Sequence, residues 1–368
     1  MAEIPNPQTS RARRIVGIAW LALVAMVTLE IAARADDWYH FGAPFVGNYE
    51  FDRLFENTDR GLRGVPDGRY LRWTLNGAGL RGPEVQPAHG QVRVLVYGAS
   101  ESFGIYEETG KEFPRALEAE LNARGGGAPF EVINAGIPGM RIGSGVALLR
   151  DLQARFRPRV VVMYPTPTHY IGVMRPYCGR PPRPAASQSL EMPTPRIAEK
   201  IKEEVKRVLP RAAMTAVRRA SIELQARGQQ VIERAPEASL DALEFDVNCA
   251  LDAAQAGGMV PVLVTHANRF GRSADGGKDD DRAMWLTQWR QQYPEMREGG
   301  FLDLEDRANA VVRKVAAQRN VALVDAAAAL SGHADWFADH AHFTNAGAAR
   351  MGALLAPAVL EAAHQAQR

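Results

Sequence analysis

The chain has 368 residues, 46% of them hydrophobic and 23% charged, with a formal net charge of +2. That balance supports a sizeable globular core and gives no reason to expect nucleic acid as a partner. Its two cysteines, Cys178 and Cys249, form no Cys-x-x-Cys pair, which excludes a zinc ribbon or a thioredoxin-like motif.

Residues 1–14 are polar and carry Arg11, Arg13 and Arg14. Residues 15–33 are apolar except for Thr28 and Glu30. As a helix they span about 28 Å, close to the thickness of a bilayer's hydrocarbon core. The arginines on the N-terminal side predict a cytoplasmic tail over 1–14, a transmembrane anchor over 15–33, and export of the remainder. Two readings compete: a cleaved signal peptide, given the small-x-small site Ala33-Arg34-Ala35, and a buried helix of a soluble protein. Export would allow Cys178 and Cys249 to form a disulfide, while two unpaired cysteines are equally compatible with the sequence.

Residues 34–90 form a lead-in with turn signals such as Pro66-Asp67-Gly68 and little periodicity. From residue 91 apolar strands alternate with helices. Strands are expected at 92–97, 130–134, 160–164, 259–265 and 321–325. Helices are expected at 112–124, 144–156, 240–256, 304–318 and 345–363. Residues 171–238 interrupt the alternation. They hold a Pro- and Ser-rich stretch, then a basic amphipathic segment with Ile197, Ile201, Val205 and Val208 at helical spacing. That segment reads as a lid over the pocket, with anionic lipid as the competing partner. Five strands with intervening helices imply a parallel sheet covered on both faces, in an α/β domain spanning 91–368.

Ligands of such sheets bind outside the carboxyl ends of the strands. Those ends carry Ser100, then Gly139, then Thr166 to His169, then His266 and Asn268. Asp339 and His342 precede the last helix. Ser100 sits between a strand and a helix, where its own N–H can face an oxyanion. Serine needs a base, and the base needs an orienting carboxylate. The three-residue spacing of Asp339 and His342 puts both side chains on one side of a turn, where Asp339 can hold one imidazole nitrogen. Gly139 can bring its backbone close to the same oxyanion. Each fragment alone is weak, since a Gly-x-Ser arises about once or twice by chance in a chain this long. Order and placement carry the weight. His169, His266 and Asn268 are candidate substrate contacts. A zinc site from His266, His340 and His342 is conceivable, but no spacing demands one. No metal or other cofactor is expected.

The combination resembles the SGNH (GDSL-like) hydrolase superfamily. Gly98-Ala99-Ser100, with Ser102 and Gly104, matches its first block, with Ala99 where the family usually has Asp. Asn134-Ala135-Gly136-Ile137-Pro138-Gly139 matches the second, and Asp339-His340-Ala341-His342 with Phe343 to Gly347 the last. Asn76 to Gly82 resembles the Gly-x-Arg-Gly lead-in of membrane-anchored members. The third block departs: Thr166-Pro167-Thr168-His169 stands where the family has Gly-x-Asn-Asp, so Thr168 occupies the position of an oxyanion-hole Asn. A hydroxyl there donates one hydrogen bond and reaches less far than an amide.

The resemblance implies a flavodoxin-like three-layer α/β/α domain with Ser100, Asp339 and His342 catalytic and Ser100, Gly139 and Thr168 as the oxyanion hole. It implies a serine esterase or O-acyltransferase in the inner membrane, its domain on the extracytoplasmic, periplasmic side. The partner expected is an acylated carbohydrate or other ester substrate. A non-catalytic binding or assembly module on the same fold is the alternative, favoured by the altered third block.

Overall fold

The computed structural model describes residues 7–58, 61–180, 195–229, 231–270 and 281–366. The first residues of the expected tail and the Pro- and Ser-rich stretch at 181–194 lie outside them.

Helix α1 runs unbroken from Pro7 to Phe41. It continues past Ala33 because nothing in Arg34-Ala35-Asp36-Asp37 breaks a helix. From Arg13 to Phe41 it is long and apolar enough to cross a membrane, and its apolar stretch is not buried in the protein. The lead-in is more ordered than its sequence suggests. A 3₁₀ turn precedes two short antiparallel hairpins, β1 (Phe55–Thr58) with β2 (Gly61–Gly64) and β3 (Arg69–Tyr70) with β4 (Trp73–Thr74). Two-residue strands carry too little periodicity to be read from sequence. Their aromatic residues Phe51, Phe55, Tyr70 and Trp73 pack with Leu54, Leu75 and Phe103 into a small core of their own.

The main sheet has five strands: β5 (Val92–Gly98), β6 (Phe130–Gly136), β7 (Val160–Tyr164), β8 (Val260–Val264) and β9 (Ala322–Val324). All neighbours are parallel, in the order β6-β5-β7-β8-β9. By order of appearance this is 2-1-3-4-5, the flavodoxin-like winding. The expected three-layer architecture is what the chain adopts. Every residue of β5 is buried, and its side chains alternate between two cores. Leu95 and Tyr97, with Ile133, Val161, Met163 and Leu263, face helices α4 (Val146–Phe156), α7 (Glu237–Ala256) and α9 (Glu298–Arg319). Val94 and Val96, with Val132, Val162 and Val264, face α3 (Phe113–Arg124) and α11 (Asn345–Gln365). Burial on both faces explains why these strands read as continuous branched runs.

The insertion after β7 contains α5 (Arg196–Val208) and α6 (Arg211–Gln225), and α8 (Arg282–Gln292) follows β8. Helix α5 does not close over the sheet as a lid. It docks on α1, where Glu30 accepts the Arg196 and Ile197 N–H groups at 3.1 and 3.0 Å and Lys200 pairs with Asp36 and Asp37. These contacts give Glu30, the one acid in the apolar stretch, its partners. Helix α6 lies on α8, with Arg218 near Gln288 and Arg290 paired to Glu223. Cys178 and Cys249 are joined in a disulfide that pins the start of the insertion to α7.

Candidate active site

The end of β5 turns sharply. Ala99 precedes α2 (Ser100–Phe103), a single turn closed by Gly104 in the left-handed conformation. The turn fits between strand ends because two neighbours lack side chains. A Cβ on Gly98 would lie 2.3 Å from Ser102 Oγ, and one on Gly136 would lie 2.4 Å from the Phe103 nitrogen. Arg81 locks the turn from outside. Its buried guanidinium pairs with Glu112 at 2.7 Å, donates to the Gly104 carbonyl and lies 4.9 Å from the Phe103 ring centre. The Gly-Leu-Arg-Gly lead-in is therefore a strut under the serine-bearing turn.

After β6, Ile137 donates to the Gly98 carbonyl at 3.1 Å, and Met140 to Ile137 at 3.0 Å. This tight loop holds Gly139 at φ +78°, with open space where a side chain would stand. After β7, Thr168 is buried in a 3₁₀ turn, its hydroxyl beside the Tyr293 phenol. His169 is turned onto the Met140 carbonyl at 3.1 Å, and burial keeps it neutral, with its pKa down to about 4.

Asp339 and His342 form the expected pair. His342 Nδ1 lies 2.7 Å from Asp339 Oδ2, while Oδ1 accepts the Ala341 and His342 N–H groups at 2.9 Å each. The Asp339 carboxylate is pulled well below its usual range: burial opposes this, but the His342 and His340 charges and these hydrogen bonds outweigh it. The same pairing lifts His342 to about 9 against the cost of burial. With Nδ1–H given to Asp339, the neutral ring presents a lone pair at Nε2. That nitrogen is buried and has no hydrogen-bond partner among the described residues. The Tyr106 ring stands edge-on to the imidazole at 5.6 Å. Trp289 of α8 stacks on the neighbouring His340 at 4.6 Å. The Ser100–His342 hydrogen bond is not made: Ser100 Oγ donates instead to Glu101 Oε2, at 3.4 Å.

The other expected contacts are placed differently. His266 is turned inward between two acids. It is 1% exposed, with Nε2 3.2 Å from Glu101 and Nδ1 2.7 Å from Glu305. Asn268 holds its own loop by accepting the Phe270 N–H at 3.0 Å. Sequence reasoning missed Glu101, Glu305, Tyr106 and Glu107. The first sits beside the serine and was legible as a candidate; Glu305 lies mid-helix, where nothing local marks it. Burial raises Glu107 to about 7 and Tyr106 to about 12, and both surround His342.

Fold and site thus define a doubly wound α/β protein with a serine on the turn after its first sheet strand and an Asp–His pair before its last helix. No family model matches the chain, and no curated protein does. Among solved structures it is similar to a lipase/acylhydrolase from Enterococcus faecalis, at 15% identity over 74% of this chain and 96% of that one, with a TM-score of 0.42. It is likewise similar to the acetyl xylan esterase AlAXEase, at 14% identity over 73% and 100%, with a TM-score of 0.41. A GDSL-like lipase from Bacteroides thetaiotaomicron gives 11% identity over 77% and 93%, with a TM-score of 0.39.

Proposed function

We propose that the protein is a serine esterase or O-acyltransferase acting on ester-linked acyl groups, acetyl foremost, of an envelope or exported glycan. The observation that carries this reading is the Asp339–His342 pair, whose Nε2 has no hydrogen-bond partner among the described residues and whose ring interacts electrostatically with Glu101 of the serine-bearing turn.

In the reaction, the Ser100 hydroxyl turns to His342. Nε2 takes its proton as Oγ bonds to the ester carbonyl carbon, and the carbonyl electron pair moves onto oxygen. The Ser100 and Gly139 N–H groups and the Thr168 hydroxyl are the donors to that oxyanion. As it collapses, the alkoxide leaves with the proton from His342 and acyl-Ser100 remains. Water as the second acceptor gives an esterase; a sugar hydroxyl gives a transferase. Losing one oxyanion donor costs about 2.7–4 kcal/mol in the barrier, so a threonine in place of an amide points to slower turnover.

Export supports a glycan substrate. The N-terminal arginines, the apolar length of α1 and the Cys178–Cys249 disulfide all fit a single-pass inner-membrane protein whose domain, residues 91–368, lies on the periplasmic side.

The test is covalent labelling. A fluorophosphonate probe is expected to label the wild-type protein, and Ser100→Ala to abolish labelling with the fold retained. The second reading, a binding or assembly module on the same fold, is favoured by the Ser100 hydroxyl lying on Glu101 and by Thr168. Absence of labelling in the wild type would establish it.

A further inference from the structure

Three acid–base groups form a buried chain directly behind the serine, and the reaction above uses none of them. Glu101 Oε2 accepts both the Ser100 hydroxyl at 3.4 Å and the Thr166 hydroxyl at 3.0 Å. Its other oxygen lies 3.2 Å from His266 Nε2, and Glu305 Oε2 lies 2.7 Å from His266 Nδ1. The imidazole is gripped further. Its backbone N–H donates to Asn309 at 2.7 Å, the Asn309 amide returns a bond to its carbonyl at 2.9 Å, and the Tyr164 ring stacks on it at 5.3 Å. Glu101, His266 and Glu305 are each 2% exposed or less.

Both ring nitrogens of His266 face carboxylates, so it donates to both only as the imidazolium. A neutral ring would aim one lone pair at a carboxylate. The charges around it agree: His266 is raised to about 10, with burial opposing and Glu305 and Glu101 prevailing. Glu101 is held down despite burial, chiefly by His266, whereas burial lifts Glu305. Glu101, beside the serine, therefore carries a negative charge. A buried ion network is weak evidence for stability, because desolvation offsets its attraction. Its placement against one reacting hydroxyl, tying the ends of β7 and β8 to α2, calls for another account.

We propose that Glu101 is a positioning residue: it holds the Ser100 hydroxyl in the resting site and places a fixed negative charge behind the serine, within electrostatic reach of the base, with His266 and Glu305 holding it in register. The proton of the hydroxyl goes to His342 and not to Glu101 when the serine attacks. His342 is faced by Asp339 and His340 from its own loop, by Tyr106 and Glu107 from the loop after α2, and by Glu101 from α2. Of these, the Glu101, Glu107 and Asp339 charges favour its protonated form. This inference rests on the acyl-transfer reading.

The measurement is the rate of fluorophosphonate labelling of Ser100 in the full-length protein as a function of pH, with thermal melts alongside. The neutral base is the competent form, so labelling rises with pH through the His342 midpoint. Glu101→Gln keeps the shape and removes the charge. It is expected to move that midpoint down by about one unit and to slow labelling at high pH by about 10- to 100-fold, the cost of a misplaced nucleophile. Glu101→Asp, which keeps the charge on a shorter arm, is expected to slow labelling with the midpoint retained, and it decides the matter if Glu101→Gln does not fold. A folded Glu101→Gln with the wild-type midpoint and rate overturns the proposal. So does a lowered melting point as its only change, or a Glu101→Asp that labels at the wild-type rate at every pH. No labelling of the wild type at any pH would instead sink the acyl-transfer reading.

Discussion

The pH behaviour of the site follows from how Asp339 grips His342. His342 must be neutral to act as base, and its folded value is about 9, so kcat/KM of the free enzyme on an aryl acetate is expected to climb with pH through about 9. The linked effect on stability has the opposite sense. The folded value lies above the unfolded value of about 6.5, so protonation favours the folded state. That contribution is complete below about 6.5 and is lost as pH rises through about 9. Asp339→Asn removes the charge that raises His342 and permits the wrong tautomer. It should bring the midpoint of the kcat/KM profile down and cut kcat by about 10⁴. An unchanged profile in this variant would show that His342 is not the base. Asp339 and His342 were readable because their spacing is local, whereas Glu305 was not, since only packing of α9 against β8 brings it to His266.

The serine-bearing turn depends on a strut from another part of the chain. Arg81 and Glu112 are both about 3% exposed and bind each other and the turn. Replacing one partner of a buried pair leaves the other charge uncompensated, a loss of about 3–5 kcal/mol. Arg81→Met is accordingly expected to lower the unfolding free energy by that order, read from a lower denaturant midpoint, and to slow probe labelling of Ser100. A variant of wild-type stability would show that the strut is dispensable. The sheet strands were legible because each is a short branched run bounded by turns. The hairpins over 55–74 were not, because two- and four-residue strands take their stability from packing around Phe51 and Phe103. Helix α5 shows both sides: its periodicity gave the helix, but its docking on α1 through Glu30 comes from contacts 166 residues apart.

The disulfide bears on where the protein works. Cys178 and Cys249 close a loop of 71 residues, for which chain entropy predicts about 4 kcal/mol of stabilisation. Cys249→Ser should lower the unfolding free energy by about that amount under oxidising conditions, and reductant should reproduce the loss in the wild type. Equal stability with and without reductant would indicate unpaired thiols and weaken the assignment to an oxidising compartment. The amino-acid sequence alone determined the five parallel strands, the apolar N-terminal segment and the edge where polar groups gather. Those follow from periodicity and from the rule that crossovers deliver strand ends to one side. Only the tertiary structure decided that His266 is locked between two acids, that α5 sits on α1 and that the two cysteines meet. Such contacts join positions tens to hundreds of residues apart, and local pattern carries no signal of which distant side chain will arrive.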